Sequence, residues 1–208
     1  MNQILRRRRE LMAAQNSGLP SAYQQVEYIE AASAGPYIDT LISMAENDEI
    51  RCGIQQLNAG SNTCVYGQSA PSIQVIQYSN ATLYVNFARI SAIPITGSIR
   101  DQIYNIIHNK NNIIVNDLIW GTFSGDLRTF TAQHMFIFAR PKENNPNVPE
   151  RLTTGRCSYF KILRNGELIC NLIPCYRKLD AVIGMYNTVS QMFFTNAGTG
   201  SFTKGADV

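Results

Sequence analysis

Three groups of residues have types and spacings that could do chemistry. The first is Glu46-Asn47-Asp48-Glu49. Side chains two apart on a strand share a face, so Glu46 and Asp48 would stand together. A glycosidase needs two such carboxyls, one as acid and one as nucleophile or base, about 5 Å or more apart. The next position on that face is Ile50, and Glu49 points the other way. The set is incomplete and reads better as a solvated, charged turn. The second group is Trp120 with Asn116 and Asp117. Sugars offer C–H faces and hydroxyls, so a sugar site sets an exposed aromatic ring beside polar groups. These three residues form the candidate glycan-binding set, although aromatic rings in strands more often pack inside. The third group is the two histidines, His108 and His134. Neither has a second His, Cys or carboxylate at metal-ligand spacing. His108, beside a turn, reads as a surface polar residue and His134 as structural.

No Ser/His/Asp arrangement or phosphate loop stands out. The cysteines are Cys52, Cys64, Cys157, Cys170 and Cys175, an odd number without C-x-x-C spacing. They read as free thiols that pack like small apolar side chains. Cys157 and Cys170 could face each other across a hairpin. Asp and Asn are frequent but show no unique calcium-loop spacing. The residues therefore assign no catalytic set, no metal and no cofactor, and the chain reads as a non-enzyme.

These residues must be positioned by strands. The chain has 208 residues, enough for one all-β domain and a short appendage. Ser158, Phe160 and Ile162 alternate with Tyr159 and Lys161, and Leu168 to Ile173 alternates again after Asn165-Gly166. Asn-Gly suits the type I′ turn of a hairpin, and Pro174 is expected to end the return strand. Tyr37 to Ile42, Cys64 to Tyr66, Ile73 to Tyr78, Ala81 to Phe87 and Met135 to Ala139 read as further strands. Ile103 to Ile107 and Ile113 to Val115 form a second hairpin, and Asn116-Asp117 turns into Leu118-Ile119-Trp120. Residues 140–154 carry three prolines and three asparagines and read as a long charged loop.

Residues 2–15 are the one convincing helical segment. Ile4, Leu5, Leu11 and Met12 make an apolar stripe, Arg6, Arg7, Arg8 and Arg9 wrap the other side, and Gly18 is a stop. A helix of this length is marginal alone and would order on a partner. These eight residues are the candidate partner-binding set. The chain's net charge is +3, and four arginines and one glutamate in residues 1–15 account for all of it. The 14 basic and 14 acidic residues beyond them cancel. A neutral domain is a poor nucleic-acid binder, because phosphate neutralisation supplies most non-specific affinity. No run approaches the roughly 18 apolar residues of a membrane span, and the first residues lack the apolar core of a signal peptide. The division expected is an anchor arm over residues 1–18 and a domain over 19–208.

Two blocks resemble a known family. Arg156, Tyr159 to Ile162, Asn165-Gly166, Leu172 to Cys175, Gly184-Met185-Tyr186 and Thr195 to Phe202 are similar to the closing segment of a concanavalin-A-like, laminin-G-like jelly-roll domain. Leu19-Pro20, Tyr23, Val26 to Glu30 and Tyr37 to Thr40 look like its opening strand. The family has a Gly after Asp39-Thr40, where this chain has Leu41, which puts the local turn in question. The resemblance implies a jelly-roll β-sandwich behind a short helical arm. It also implies a class of protein common in bacteriophage particles and on the surfaces of gut bacteria. Glucanases on that fold carry an E-x-D-x-E-like strand that Glu46 to Ile50 does not complete.

Together these readings lead to a bacteriophage virion structural protein of the head, decoration, fibre or tail. It would reside in the virion and associate with other virion proteins through its arm. Two rivals stay open. A carbohydrate-binding module would take a host-surface glycan without catalysis, and a glycoside hydrolase or lyase would need convergent carboxylates.

Overall fold

The computed structural model describes residues 18–57, 62–79 and 82–208. The expected helical arm, with Ile4, Leu5, Arg6 to Arg9, Leu11 and Met12, lies outside the described residues. Among those residues there is no helix. The first strands are β1 (Tyr23–Gln25), β2 (Ile29–Ala31), β3 (Ile38–Ser43), β4 (Asp48–Gln56), β5 (Thr63–Gln68), β6 (Ile73–Ser79), β7 (Thr82–Phe87) and β8 (Ile93–Thr96). Next come β9 (Tyr104–His108), β10 (Asn112–Val115), β11 (Leu118–Thr122), β12 (His134–Ile137), β13 (Arg140–Lys142) and β14 (Asn145–Glu150). The last are β15 (Gly155–Arg164), β16 (Glu167–Arg177), β17 (Ile183–Asn187), β18 (Met192–Thr195) and β19 (Thr203–Lys204).

Eleven strands make one antiparallel sheet along the path β11-β10-β9-β4-β15-β16-β17-β18, with β1 beside β16, β2 beside β15 and β19 beside β2. Six make a second, in the order β3-β12-β5-β6-β7-β8, and β13 and β14 form a separate ribbon. Alternation sends one face of each large sheet into a shared core. Ile50, Cys52 and Ile54 of β4 and Phe160 and Ile162 of β15 meet Val65, Tyr66, Val75 and Val85 of the other sheet. The Tyr66 and Phe160 rings meet edge-on at 5.7 Å between centroids. The chain is all-β, with an architecture compatible with a β-sandwich.

The local turn chemistry is as expected. Asn165 and Gly166 have φ of +52° and +83°, and Arg164 pairs with Glu167 across them. Asn116 and Asp117 have φ of +49° and +68° between the paired Val115 and Leu118. Both are two-residue connections with left-handed central positions, which the right-handed strand twist favours.

Three expectations are corrected. Pro174 does not end its strand, since β16 runs on to Arg177. Its carbonyl accepts the Val26 N–H at 3.0 Å, so its nitrogen faces the same side. That is where β16 passes from β15, last paired at Leu172, to β1, which begins its pairing at Cys175. A missing N–H is tolerated at that change of neighbour. The hairpin register separates Cys157 from Cys170. Cys170 lies opposite Ile162, while Cys157 lies opposite Ile54 on one side and Ile29 on the other. All five thiols are buried and free, and burial lifts those of Cys64, Cys157, Cys170 and Cys175 to about 12. Finally, residues 140–150 are a hairpin rather than a loop. Pro141 lies opposite Pro149, and the two-stranded ribbon has no further neighbour that needs their N–H groups. Arg140 ties it with bonds of 2.6 Å to Glu150 and to Gln74.

The two blocks that carry the family resemblance touch each other. Asn196 Oδ1 accepts the N–H groups of Tyr37 (3.1 Å) and Gly198 (2.8 Å), and its Nδ2 donates to the Gly200 carbonyl at 2.8 Å. Gly198 is held so close that a Cβ there would sit 2.2 Å from the Gly35 carbonyl oxygen. β19 pairs with β2, and Asp207 bridges to Val26, so the end of the chain is stitched to its opening strands.

Leu41, where the family has Gly, has φ of +57° and is 52% exposed. The Asp39 carboxylate holds its N–H at 2.9 Å. Leu41 adopts the left-handed conformation with a side chain that disfavours it. Leu41→Gly should therefore be about 1 kcal/mol more stable than Leu41→Ala, since both lose the same half-exposed side chain and only glycine relieves the backbone. Urea denaturation of the pair measures this; equal midpoints would show an unstrained site.

Candidate functional site

Three connections meet at one end of the large sheet: β3–β4, β9–β10 and β15–β16. They enclose a groove of about 330 Å³ lined by Glu46, Glu49, Arg51, Asn109 and Lys110 among others. Lys110 Nζ donates to Glu46 (2.9 Å) and to the Asn47 side chain (2.7 Å). Glu49 takes Arg51 Nε at 2.6 Å and Asn109 Nδ2 at 3.1 Å. Asp48 departs from the expected solvated turn: it opens β4 and is only 1% exposed. Arg164 grips it through Nε (2.8 Å) and Nη2 (2.9 Å), and the Ala45 N–H adds a bond of 2.7 Å. Each carboxylate is thus committed to a cation, and Asp48 faces inward, away from Glu46. The groove is a polar clasp across three turns.

The structure divides the Trp120 set. The Trp120 ring is half-buried, edge-on to Tyr104 with centroids 6.1 Å apart. It also packs against the core and over Gly97, where a Cβ would lie 2.8 Å from the ring. Asn116 and Asp117 form the turn, and Asn116 Oδ1 accepts the Asn105 N–H at 3.0 Å. The indole serves packing and the amide closes a hairpin.

His108 is the second correction at this level: it is fully buried, not on the surface. It shares the inward face of β9 with Ile106 and lies opposite Ile50 and Ile113. Its Nδ1 and the Tyr66 hydroxyl are 3.1 Å apart, a hydrogen bond that spans the two sheets. Phe87 and Phe123 flank the ring, and Nε2 has no partner. Burial pushes its pKa down from 6.5 to about 3. His134 pairs with Asp39 at 3.1 Å on the second sheet.

The outward face of the large sheet carries residues that sequence reasoning did not single out. Asn105, Gly53 and Tyr159 form one cross-strand row, and Ile107, Arg51, Lys161 and Asn171 the next. The Tyr159 ring lies over Gly53, where a Cβ would stand 2.8 Å from it. Its hydroxyl donates to Asn105 Oδ1 at 3.0 Å. Lys161 Nζ is 5.8 Å from the Tyr159 ring centroid. Desolvation, then the neighbouring Arg51, lowers the Lys161 pKa, and burial raises that of Tyr159. Ile107 continues the row to Ile114 and Ile119, the last 64% exposed. The one legible signal was Gly53, a glycine inside a strand pattern, which marks a close approach.

No family model matches the chain, and no curated protein matches it.

Two outcomes follow from the buried polar groups. Arg164→Met strips the partner from a buried carboxylate. It should cost about 2–3 kcal/mol, below the usual range for buried pairs because Arg164 is partly exposed. Adding Asp48→Asn should recover part of that loss in a denaturation cycle; additive costs would show no coupling. His108 takes up its proton in the unfolded chain near pH 6.5 but resists it when folded down to about pH 3. Stability is therefore complete above pH 6.5 and falls as pH drops through that window. From pH 7 to pH 4 the loss from this residue is about 3 kcal/mol. The double variant His108→Phe, Tyr66→Phe removes both partners and should show a correspondingly flatter acid limb in urea titrations at the two pH values. An unchanged slope would assign acid loss to other groups.

Proposed function

We propose that this chain is a structural subunit of a bacteriophage virion, of the head, decoration, fibres or tail. It docks on the particle through residues 1–18 and displays a concanavalin-A-like jelly-roll sandwich. Its action is association rather than chemistry, and its partners are other virion proteins.

The observation that carries this reading is the distribution of charge. Beyond the arm, basic and acidic residues are equal in number. Many of them neutralise one another at short range: Arg51–Glu49, Arg140–Glu150 and Arg156–Glu30 at 2.6 Å, and Arg164–Asp48 at 2.8 Å. The unbalanced charge is Arg6 to Arg9, beside the apolar Ile4, Leu5, Leu11 and Met12. A cationic segment with an apolar stripe suits a groove that offers carboxylates and aliphatic side chains on a neighbouring subunit. The described part of the chain begins at Gly18, packed near Thr188 of the β17–β18 turn.

The test is co-purification of the full chain, and of a chain starting at Leu19, with intact particles at low and high salt. The expected result is at least tenfold lower recovery of the shorter chain, weakening of the full chain by salt, and equal melting of the two free proteins. Equal recovery of both chains would reject the arm as the anchor.

A further inference from the structure

We infer that the end strand β11 and the groove beside it take the arm of a second copy of this chain. The inference rests on reading residues 1–18 as the docking segment, and it names the partner of that segment.

β11 ends the eleven-stranded sheet, so no strand is paired on its outer side. Leu118 and Ile119 stand 67% and 64% exposed on it. Its residues, Leu118 to Thr122, include no charge and no proline, the devices that usually guard such an edge. Trp120 bulges from the ladder, since Ile113 pairs with Gly121 and Ile114 with Ile119. An added strand would meet a broken register there, so docking falls to side chains rather than to a continuous ladder. A Cβ on Gly121 would sit 2.6 Å from Ile93, and Ile93 lines a second groove of about 250 Å³ together with Ile90, Phe123 and Asp126 among others. The groove's cation, Arg89, is bonded to the carbonyls of Gly125 and Lys110.

Carboxylates rim this apolar edge. Asp117 precedes Leu118, Asp126 borders the groove, and Asp101 accepts the hydroxyl of Tyr104, whose ring meets Trp120. All three are exposed, and none is in an ion pair among the described residues. The arm has the complementary composition. Ile4, Leu5, Leu11 and Met12 flank four arginines, whose charge nothing in the neutral remainder of the chain balances. Aliphatic side chains set on the edge, with guanidinium groups on the rim, would bury the one and pair the other.

The chain's own arm does not reach. Gly18 lies beside Thr188, in the turn from β17 to β18, and β11 is six strand spacings from β17. At about 4.8 Å each, that is roughly 29 Å. Met12 is six residues from Gly18. A fully extended chain covers roughly 21 Å over that length. Leu11 and Met12 therefore meet β11 only on another copy. The contact is head-to-tail: each copy gives one arm and offers one edge, so the assembly is a ring or an open chain rather than a two-fold dimer.

Two full-length variants test this. One keeps the arm and spoils the edge, Leu118→Lys with Ile119→Lys; both side chains are exposed, so no cavity opens. The other keeps the edge and spoils the arm, Arg6→Gln, Arg7→Gln, Arg8→Gln and Arg9→Gln. Sedimentation velocity through the micromolar range reads the mass of each, and thermal melts check folding. The unaltered chain is expected to self-associate, less so in high salt. Each variant alone should be a monomer, and an equal mixture should form a heterodimer and nothing larger, since one working arm and one working edge remain between them. Asp117→Asn with Asp126→Asn, in a chain with the native arm, should weaken association about threefold or more. A monomeric unaltered chain would overturn the inference, and the particle co-purification then still reads whether the arm docks elsewhere. Self-association that survives the arm substitutions would mean a symmetric contact, and a mixture that stays monomeric would mean that the arm does not take the edge. Either outcome rejects the head-to-tail contact.

Discussion

The pairing of β4 with β15 is the constraint on which the rest of the structure depends. It runs from Asp48 against Arg164 to Gln56 against Gly155, the longest register among the described residues, between segments about a hundred residues apart. Closing so long a loop is costly in chain entropy, and the return is a seam that fixes everything beside it. Phe160 and Ile162 on one side and Ile50, Cys52 and Ile54 on the other give it a wholly apolar inner face. At its end the buried Asp48 and its Arg164 partner set the register, because a slip of one residue would turn that carboxylate outward and bury its neighbour. Such a pair adds little stability over an apolar replacement, but it penalises the wrong pairing. From the seam, β9, β10 and β11 extend one way and β16, β17 and β18 the other.

What could be read in the sequence was local. Asn165-Gly166 and Asn116-Asp117 specify turns because both residues of each tolerate positive φ, whatever lies beyond. Period-2 alternation located β9, β15 and β16 for the same reason. What could not be read was which strand lies beside which. Pro174 was expected to stop a strand, a fair inference from a missing N–H, but β16 changes neighbours there. The prolines of residues 140–150 were expected to forbid a ladder, yet an isolated ribbon leaves them nothing to break. Cys157 lost its expected partner to the hairpin register, which sets Ile162 opposite Cys170. His108 was read as exposed because it stands next to a turn. Its fate was decided by parity, since it is two residues from Ile106 on the inward face of β9.

Leu41 shows the two kinds of information meeting at one residue. The resemblance leads one to expect a glycine, the local sequence has leucine, and the backbone adopts the left-handed conformation. The Asp39 carboxylate on its N–H and the pairing of β3 with β12 outweigh the preference of a single side chain. The opening and closing blocks behave in the same way. Neither says in isolation that it touches the other, yet Asn196 and Gly198 make sense only against Gly35 and Tyr37. Their contact joins segments at opposite ends of the chain, while the strands between them pair mostly with sequence neighbours.

The outward face of the large sheet was hardest to read for a physical reason. A face in the interior of a sheet is assembled from residues on different strands, so spacing along the chain carries no trace of it. Tyr159 and Lys161 look like half of an ordinary amphipathic strand until Gly53 and Arg51 are set beside them by the β4–β15 register. The turn-end carboxylates had the opposite character. They are adjacent in sequence and catch the eye as chemistry, but Lys110, Arg51 and Arg164 hold them one by one.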